Sequence, residues 1–194
     1  MNLNKYFILF FLSLTINNSL VNSAMVKNRV LGSANWGTHI TPLITAVANT
    51  DGPILEMGCG DFSTPILHAI CAPTKRFLLS TESNKKWMNL FMDLKNDWHH
   101  FQFVPSIDKW ADIGRDIHWG VVLVDHAPAL QRIVDIKRLR NNTDIFVIHD
   151  TEANHVYKYE PYLSTFKYKY QYKRYKTATT LVSDIIDVGK FFAN

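Results

Sequence analysis

The chain has 194 residues, of which 47% are hydrophobic and 20% are charged. This composition is typical of one folded globular domain and excludes a disordered or collagen-like chain. The formal net charge of +4 is a mild excess. This net charge is smaller than that of a dedicated nucleic-acid-binding protein, which argues against a nucleic-acid partner.

The first two dozen residues have the pattern of a secretory signal peptide. Lys5 provides a positive start, Tyr6–Leu14 is apolar, and Val21–Ala24 offers small residues for cleavage. We therefore predict a signal peptide over residues 1–23 and a secreted or exported protein. The apolar run is shorter than the ~18 residues needed to span a bilayer, so we expect no stable membrane span after cleavage.

The remainder of the chain, residues 24–194, is predicted to form a single domain. Its two cysteines, Cys59 and Cys71, are too few for a disulfide scaffold, and we interpret both as packing residues. Two alternatives to secretion stay open. An uncleaved leader would anchor the protein in a membrane, and a start at Met25 would make it cytoplasmic.

From Pro53 onward, short apolar runs alternate with longer segments of helical period, which indicates a parallel sheet with crossover helices. The runs are continuously apolar, as strands covered on both faces are. The predicted strands are Ile54–Met57, Phe77–Thr81, Phe101–Val104, Val121–Val124 and Ile145–Ile148. The predicted helices are Thr41–Val47, Thr64–Cys71, Lys85–Asn96, Leu130–Leu139 and Glu152–Leu163.

The C-terminal segment breaks this alternation. Phe166–Lys173 alternates aromatic and polar residues with period two, and Ala178–Ile186 follows after a short link. Two strands joined so briefly must pair antiparallel. The sequence therefore predicts an α/β fold, a three-layer Rossmann-like sandwich with a mostly parallel seven-stranded sheet and a C-terminal antiparallel hairpin.

The first hairpin strand combines basic and aromatic residues, a combination that can also bind nucleic acid. The alternation places Lys167, Lys169 and Lys173 on one face and the tyrosines on the other. A half-buried strand with a solvated lysine face has this pattern, and edge lysines discourage pairing with other chains. We favour this structural interpretation.

A glycine turn follows the first predicted strand. Glu56 is followed by Gly58 and Gly60, and the next helix is predicted to start near Thr64, with Ser63 or Thr64 as its N-cap. Glycine permits a tight turn and a close approach of the backbone to a ligand. Taken alone, the turn fits a ligand site and a purely structural connection equally well.

Glu82 ends the second predicted strand, 24 residues after Gly58. An acid at this strand end can accept hydrogen bonds from both ribose hydroxyls of an adenosine cofactor. Nicotinamide and S-adenosylmethionine sites share this feature, so Glu82 indicates an adenosine cofactor without choosing between them.

Together these features resemble the class I S-adenosylmethionine-dependent methyltransferases. Glu56-x-Gly58-x-Gly60 is similar to the family's first motif, Glu82 to its ribose-binding acid, and the terminal hairpin to its last two strands. The resemblance begins at about Trp36 and extends to the C-terminus. It implies that S-adenosylmethionine is held by Glu56, Gly58, Gly60, Ser63, Thr64 and Glu82.

The segment before the first strand often closes over the cofactor in this family. Trp36, Thr38 and His39 are therefore candidates to cover the methionine end, with Trp36 and Thr38 assigned to cofactor binding. The structural alternative is that Trp36 is a packing anchor and Thr38 caps the following helix. Trp87 is a candidate to flank the adenine, although we favour core packing as its role.

Four short segments also resemble bacterial methyltransferase-like proteins of unassigned substrate. These segments are Trp36–Pro42, Ser63–His68, Val124–Pro128 and Val147–Glu152. This narrower resemblance supports the fold and does not identify the methyl acceptor or the oligomeric state.

Acids and histidines end the fourth and fifth predicted strands, where the ligand crevice of an open α/β sheet lies. In metal-dependent O-methyltransferases, similar positions hold Mg²⁺, and Asp125 and Asp150 match two of its ligands. Thr151 stands where that group has asparagine. Oxygen ligands favour Mg²⁺ or Mn²⁺, whereas histidine ligands favour Zn²⁺, Fe²⁺ or Mn²⁺. The alternative is that the carboxylates cap helices and the histidines bind loop backbone.

Methyl transfer requires positioning of the acceptor and, for some acceptors, removal of a proton. We take His126 as the first choice of base and His149 as the second, because a neutral imidazole suits this role near pH 7. Asp125 would orient the base or bind a metal. The expected acceptor is a small molecule or a side chain, with transfer to oxygen.

Two other functions remain open at this stage. One is a nicotinamide-dependent oxidoreductase, disfavoured by the terminal hairpin and by Ser63 in place of a third glycine. The other is a secreted binding protein with a catalytically inactive methyltransferase fold. The predicted signal peptide favours the latter, because S-adenosylmethionine is made in the cytosol.

Overall fold

The computed structural model describes residues 34–152 and 157–193. The predicted signal peptide, residues 1–23, lies outside them. Within the described part of the chain, no helix is both long and apolar enough to cross a membrane.

A single seven-stranded sheet forms the centre of the domain, in the order β3-β2-β1-β4-β5-β7-β6. Strands β1 to β5 run parallel, and β7 pairs antiparallel with both β5 and β6. The predicted fold class is confirmed. The strands are β1 Ile54–Met57, β2 Leu78–Glu82, β3 His99–Phe103, β4 Trp119–Val124, β5 Thr143–Ile148, β6 Tyr168–Tyr172 and β7 Thr179–Ser183.

In the described part of the chain, five α-helices connect or flank these strands, and α1, α2 and α4 are close to the predicted ones. The helices are α1 Ile40–Ala48, α2 Thr64–Cys71, α3 Lys85–Met88, α4 Ala129–Leu139 and α5 Glu160–Leu163. Short 3-10 segments cover Ala34–Gly37, Ala72–Thr74, Asn89–Leu94, Ile107–Asp112, Arg140–Asn142 and Val188–Phe192.

Apolar layers cover both faces of the sheet. Successive strand residues point to opposite faces, so Ile54 and Leu55 enter different cores. Leu43 of α1 and Leu67 of α2 pack on the Ile54 side. Ile136 of α4 packs with Leu55 on the other side. Burying a side chain of this size contributes roughly 1.5–3 kcal/mol, so the two layers hold the strand ends in a defined order.

The predicted helix Glu152–Leu163 is confirmed only over its last four residues, Glu160–Leu163. Lys158 has a φ of 54°, a left-handed conformation that cannot continue a right-handed helix, and α5 begins only at Glu160. Glu152 instead accepts a hydrogen bond from the backbone N–H of Ala178 at 2.7 Å. The predicted helix Lys85–Asn96 is α-helical only over α3 and continues as a 3-10 segment.

Strand β3 begins two residues earlier than its apolar pattern predicts. His99 is fully buried at its start, and its Nε2 lies 2.9 Å from Ser80 Oγ on β2. This hydrogen bond allows a polar residue to enter the sheet at a position that hydrophobicity does not reveal. Cys59 and Cys71 are both free and buried.

The terminal hairpin has the predicted division of faces. Tyr170 stacks on Phe192 with ring centroids 4.4 Å apart. Lys169, on the opposite face, lies within 2.5 Å of Glu160 Oε1. The tyrosine side of β6 is therefore covered by the C-terminal segment, and this lysine is engaged on the surface.

Candidate active site

The turn after β1 approaches the end of β4 so closely that only glycine fits. Gly58 has a φ of +95° and donates its backbone N–H to the Thr81 carbonyl oxygen at 2.9 Å. A Cβ added there would lie 2.7 Å from the carbonyl oxygen of Asp125. Gly58 thus allows the ends of β1 and β4 to pack against each other, and its role is structural.

Glu56 stabilises the turn through hydrogen bonds to its carboxylate. Thr64 Oγ1 donates to Glu56 Oε1 at 2.9 Å, and Ser80 Oγ donates to the other carboxylate oxygen. Thr64 Oγ1 also accepts the backbone N–H of Gly60 at 2.9 Å. Burial raises the pKa of Glu56 to about 7, although hydrogen bonds from Ser63, Ser80 and Thr64 oppose the rise.

Glu82 and Trp87 both form hydrogen bonds with the backbone of the turn. Glu82 Oε2 accepts the backbone N–H of Cys59 at 3.1 Å, and Oε1 accepts that of Asn84 at 2.7 Å. The indole N–H of Trp87 donates to the Cys59 carbonyl oxygen at 2.7 Å. The predicted ribose-binding acid is therefore attached to the glycine turn by direct hydrogen bonds.

A cavity of about 410 Å³ opens beside this turn. Its volume falls in the range of small-molecule sites, which is roughly 300–1,000 Å³. It lies where the sheet order reverses between β1 and β4, the usual ligand position in an open α/β sheet. Its lining residues are Trp36, His39, Cys59, Gly60, Asp61, Phe62, Trp87, Asp125, His149, Asp150 and Thr177.

The predicted site residues divide into two groups. Those that line the cavity are Trp36, Gly60, Asp125, His149 and Asp150. Those that surround it without being part of its lining are Thr38, Glu56, Gly58, Ser63, Thr64, Glu82 and His126. Trp36 is 56% exposed and stands at the rim, where it is accessible to a ligand.

His149 is the centre of a polar cluster at the ends of β4 and β5. Its Nδ1 lies 3.3 Å from Asp125 Oδ1 and 3.5 Å from Asp150 Oδ1, and its Nε2 lies 3.0 Å from Thr38 Oγ1. Burial lowers the pKa of His149, but the hydrogen bond and charge of Asp125 together with the charge of Asp150 raise it more, so that the net shift is upward.

Arg132, a residue that the sequence analysis does not identify, supports the two acids from α4. Its Nη2 lies 3.0 Å from Asp125 Oδ1, and its Nη1 lies 3.4 Å from Asp150 Oδ2. Asp150 itself has a φ of 58°, which is uncommon for a residue other than glycine. Backbone strain of this kind clusters at functional sites and here coincides with the cavity wall.

His39 also lines the cavity, although the sequence analysis does not assign it to the site. Its side chain is 3% exposed, and neither ring nitrogen has a hydrogen-bond partner among the described residues. The ring packs edge-on against His149 with centroids 4.7 Å apart. Burial, followed by the charge of His149, lowers the pKa of His39 to about 4, and Asp125 offsets only part of this shift.

His126 is directed away from the cavity, contrary to its selection as first-choice base. Its Nε2 lies 3.0 Å from Asp135 Oδ2, and its ring centroid lies 4.2 Å from that of Trp110. The residue is 1% exposed. Burial lowers the pKa of His126, although Asp135 opposes this effect. These contacts give His126 a structural role under α4.

Thr151 faces the hairpin and does not line the cavity. Its hydroxyl accepts a hydrogen bond from Thr180 Oγ1 at 2.8 Å and lies 3.3 Å from the Ala178 carbonyl oxygen, both on the hairpin side. In the described chain, the residues able to share a metal ion form one group, which combines Asp125 with His39 and His149. Asp150, predicted as a metal ligand, is not part of it.

No protein-family model and no curated protein sequence matches the chain. Solved structures do match it. Cofactor-bound Rv0187 from MTB has a TM-score of 0.60 and 16% identity, with 88% of this chain and 89% of that chain covered. An O-methyltransferase from Bacillus cereus in complex with SAH has a TM-score of 0.58 and 13% identity, with 89% and 90% covered.

The methyltransferase domain of METTL16, in a delta-N form, has a TM-score of 0.58 and 10% identity, with 91% of this chain and 94% of that domain covered. These identities are too low to carry a substrate from one protein to another. The shared topology extends over almost the whole of each chain. The chain therefore has the Rossmann-like fold of the S-adenosylmethionine-dependent methyltransferases.

Proposed function

We propose that the chain is a methyltransferase that uses S-adenosylmethionine and transfers a methyl group to an oxygen atom. The observation that carries this proposal is the order of groups along one edge of the sheet. Glu82 follows β2, the glycine turn follows β1, and Asp125 and Asp150 follow β4 and β5. Three strand spacings separate β2 from β5, about 14 Å in all. This distance suits an extended cofactor whose two ends need different partners.

The residues present fit this cofactor. Glu82 Oε2 accepts one backbone N–H and keeps a second lone pair for a ribose hydroxyl, and at Oε1 a ribose hydroxyl can replace the long 3.5 Å contact from Ser83 Oγ. Trp87 presents an aromatic ring on the cavity wall beside the turn, where an adenine can pack. Asp61 lies on the same wall and supplies a carboxylate for the amino group of the methionine portion.

S-adenosylmethionine, when bound, supplies an electrophilic methyl group whose transfer breaks the S–C bond, forms the bond to the acceptor oxygen and leaves the acceptor's proton to the protein. We assign that proton to His149 rather than to His126. When Nε2–H of His149 donates to Thr38 Oγ1, Nδ1 is left to accept a proton. Asp125 and Asp150 then stabilise the imidazolium that forms.

The acceptor in this proposal is a small hydroxylated molecule or a hydroxylated side chain. The cavity of about 410 Å³ suits the cofactor together with the reacting end of a compact acceptor. Its charged end, formed by Asp125, His149 and Asp150, favours an acceptor with a polar reacting group. Nothing in the comparisons favours the nicotinamide-dependent or the inactive alternative.

A calorimetric titration of the purified chain with S-adenosylmethionine, S-adenosylhomocysteine and NAD tests this proposal. We expect the first two to bind with one site per chain and NAD to show no binding. Binding of NAD alone would favour an oxidoreductase. Binding of none of the three would support a protein that keeps the fold without the cofactor.

Export from the cytosol is a separate proposal, because it rests on residues 1–23. Sequencing the N-terminus of the protein recovered from an exported fraction tests it. A mature chain starting at Ala24 is the expected result. A chain starting at Met1 or Met25 and retained in the cytosol would rule out cleavage and export.

A further inference from the structure

We infer that His39, Asp125 and His149 form a binding site for a divalent transition metal. One ligand atom from each of the three lies within 4.8 Å of the other two. Ligand bonds of about 2.1 Å allow at most about 4.2 Å between two atoms that share an ion, so small side-chain shifts complete the site. The three residues come from the N-terminal end of α1 and the ends of β4 and β5.

His39 provides the observation that points to a missing ligand. Both of its ring nitrogens are buried without a hydrogen-bond partner in the described part of the chain, although the ring is on the cavity wall. A buried polar group left in this state destabilises the folded protein. A metal ion bound to one nitrogen removes the penalty at that nitrogen and gives a reason for a histidine at this position.

The surroundings of His149 orient it as a ligand. Its Nε2 lies 3.0 Å from Thr38 Oγ1, so the N–H at this position can donate to the hydroxyl and leave the lone pair on Nδ1. Nδ1 is the nitrogen that faces Asp125. Metal-binding histidines typically donate their second N–H to such a partner, which fixes the tautomer and the ring orientation.

Asp125 is held in place by Arg132, whose Nη2 lies 3.0 Å from Asp125 Oδ1. A carboxylate has about four lone-pair sites on its two oxygens, so it can accept from Arg132 and still bind an ion. Arg132 also places a positive charge beside the acids, and it contacts Asp150 as well. Arg132 therefore competes for both ligands of a site built from Asp125 and Asp150 alone, such as one for Mg²⁺, but for only one of the three ligands of the proposed site.

Two imidazoles and one carboxylate select the class of metal. Mg²⁺ prefers oxygen ligands and octahedral geometry, whereas Zn²⁺, Fe²⁺ and Co²⁺ accept imidazole nitrogen readily. Three protein ligands leave at least one coordination position open, as in catalytic metal sites. That position would face the cavity, because all three residues are on its wall. An ion on Nδ1 takes the place of a proton there, so the metal-bound and proton-accepting states of His149 are alternatives.

Equilibrium dialysis of the full chain, treated with a chelator and carrying no histidine tag, tests the site with Zn²⁺, Co²⁺ and Mg²⁺. We expect one Zn²⁺ or Co²⁺ per chain and much weaker binding of Mg²⁺. His39→Leu should raise the Kd for Zn²⁺ on the order of 100-fold or more, and Thr38→Val by about 10-fold to 100-fold. His118→Gln is the matched control. His118 is an exposed histidine outside the cavity, and its Nε2 lies 2.6 Å from Asp144 Oδ1.

His39→Leu also separates loss of a ligand from loss of the fold. Its unfolding midpoint in metal-free buffer should equal or exceed that of the unchanged chain, because two unsatisfied nitrogens are removed. If this variant does not fold, Thr38→Val provides the same comparison. Absence of stoichiometric Zn²⁺ and Co²⁺ binding, or unchanged Zn²⁺ affinity in the folded variant, would overturn the inference. Cofactor binding is measured separately, so either proposal can fail without the other.

Discussion

The backbone of Gly58 and the carbonyl oxygen of Asp125 are packed against each other, so that a Cβ on Gly58 would lie only 2.7 Å from that oxygen. The contact joins the end of β1 to the end of β4. It brings the turn beside the proposed cofactor into a fixed position relative to the acid beside the proposed acceptor. The geometry of the site therefore depends on a residue that does not line the cavity.

Replacing Gly58 should destabilise the domain more than replacing Gly60. Gly58→Ala must adopt a φ of +95° and push against backbone atoms, and we expect a loss of at least about 2 kcal/mol in the free energy of unfolding. In Gly60→Ala the new Cβ meets only Ser63 Oγ, at 3.1 Å, and the loss should stay below about 1 kcal/mol. Urea unfolding of both variants measures the difference. Equal losses would contradict the packing role of Gly58.

Glu56 should make the domain less stable as the pH rises from 4.5 to 7. Burial raises the pKa of Glu56 in the folded state from 4.5 to about 7, so the folded protein holds this proton more tightly than the unfolded chain does. Its contribution is complete below pH 4.5 and is lost as the pH rises through 7, and it amounts to about 3 kcal/mol. Urea unfolding of the unchanged chain and of Glu56→Gln at pH 5 and pH 7.5 measures it.

The comparison with Glu56→Gln is necessary because a neighbouring group has the opposite pH dependence. Burial lowers the pKa of His99 to about 3, and this histidine contacts the same Ser80 hydroxyl as Glu56 does. His99 is present in both proteins, so its effect cancels when the free energy of unfolding of Glu56→Gln is subtracted from that of the unchanged chain. Glu160→Gln, at an exposed site, is the control; it loses the ion pair with Lys169 but should show the same pH dependence as the unchanged chain over this range. A difference between the chain and Glu56→Gln that does not vary with pH would contradict the pKa shift.

Glu82 should contribute to cofactor affinity. Glu82→Gln removes the charge that strengthens hydrogen bonds to the ribose, and such bonds contribute roughly 1.5–3 kcal/mol. We expect the Kd for S-adenosylmethionine to rise by about 10-fold to 100-fold. Calorimetry with Glu160→Gln as the control measures this change, and circular dichroism shows whether each variant is folded. An unchanged Kd in folded Glu82→Gln would exclude the ribose assignment.

The two histidines should differ in what they do. His126→Gln disturbs a buried contact with Asp135 and Trp110, so it should lower the free energy of unfolding by about 1–3 kcal/mol. With an acceptor found by screening hydroxylated compounds, His149→Gln should lower kcat on the order of 100-fold or more. His126→Gln should lower it far less. A larger kcat loss in His126→Gln would restore His126 as the base.

The sequence predicts the inner strands β1, β4 and β5 well because most of their residues form continuous apolar runs. Strand β1 and helix α2 have the predicted bounds, since one is fully buried and the other begins with Pro65 near its first turn. The predicted helix Glu152–Leu163 is interrupted before its last turn, because Lys158 has a positive φ that no periodicity reveals.

The candidate site is predictable only in part. Parallel strands end at one edge, so the convergence of Asp125, His149 and Asp150 follows from the sequence. The direction of each side chain does not. Asp125 and His126 are neighbours, yet one lines the cavity and the other is buried under α4. Arg132 reaches the site across elements, which no local pattern shows.

A crystal structure of the chain grown with S-adenosylhomocysteine tests the central claim most directly. The proposed function predicts one molecule in the cavity, with its ribose hydroxyls on Glu82 and its adenine beside Trp87. Its sulfur should lie on the side of Asp125 and His149. Electron density for the ligand away from this cavity, or a ribose bound by residues other than Glu82, would contradict the account.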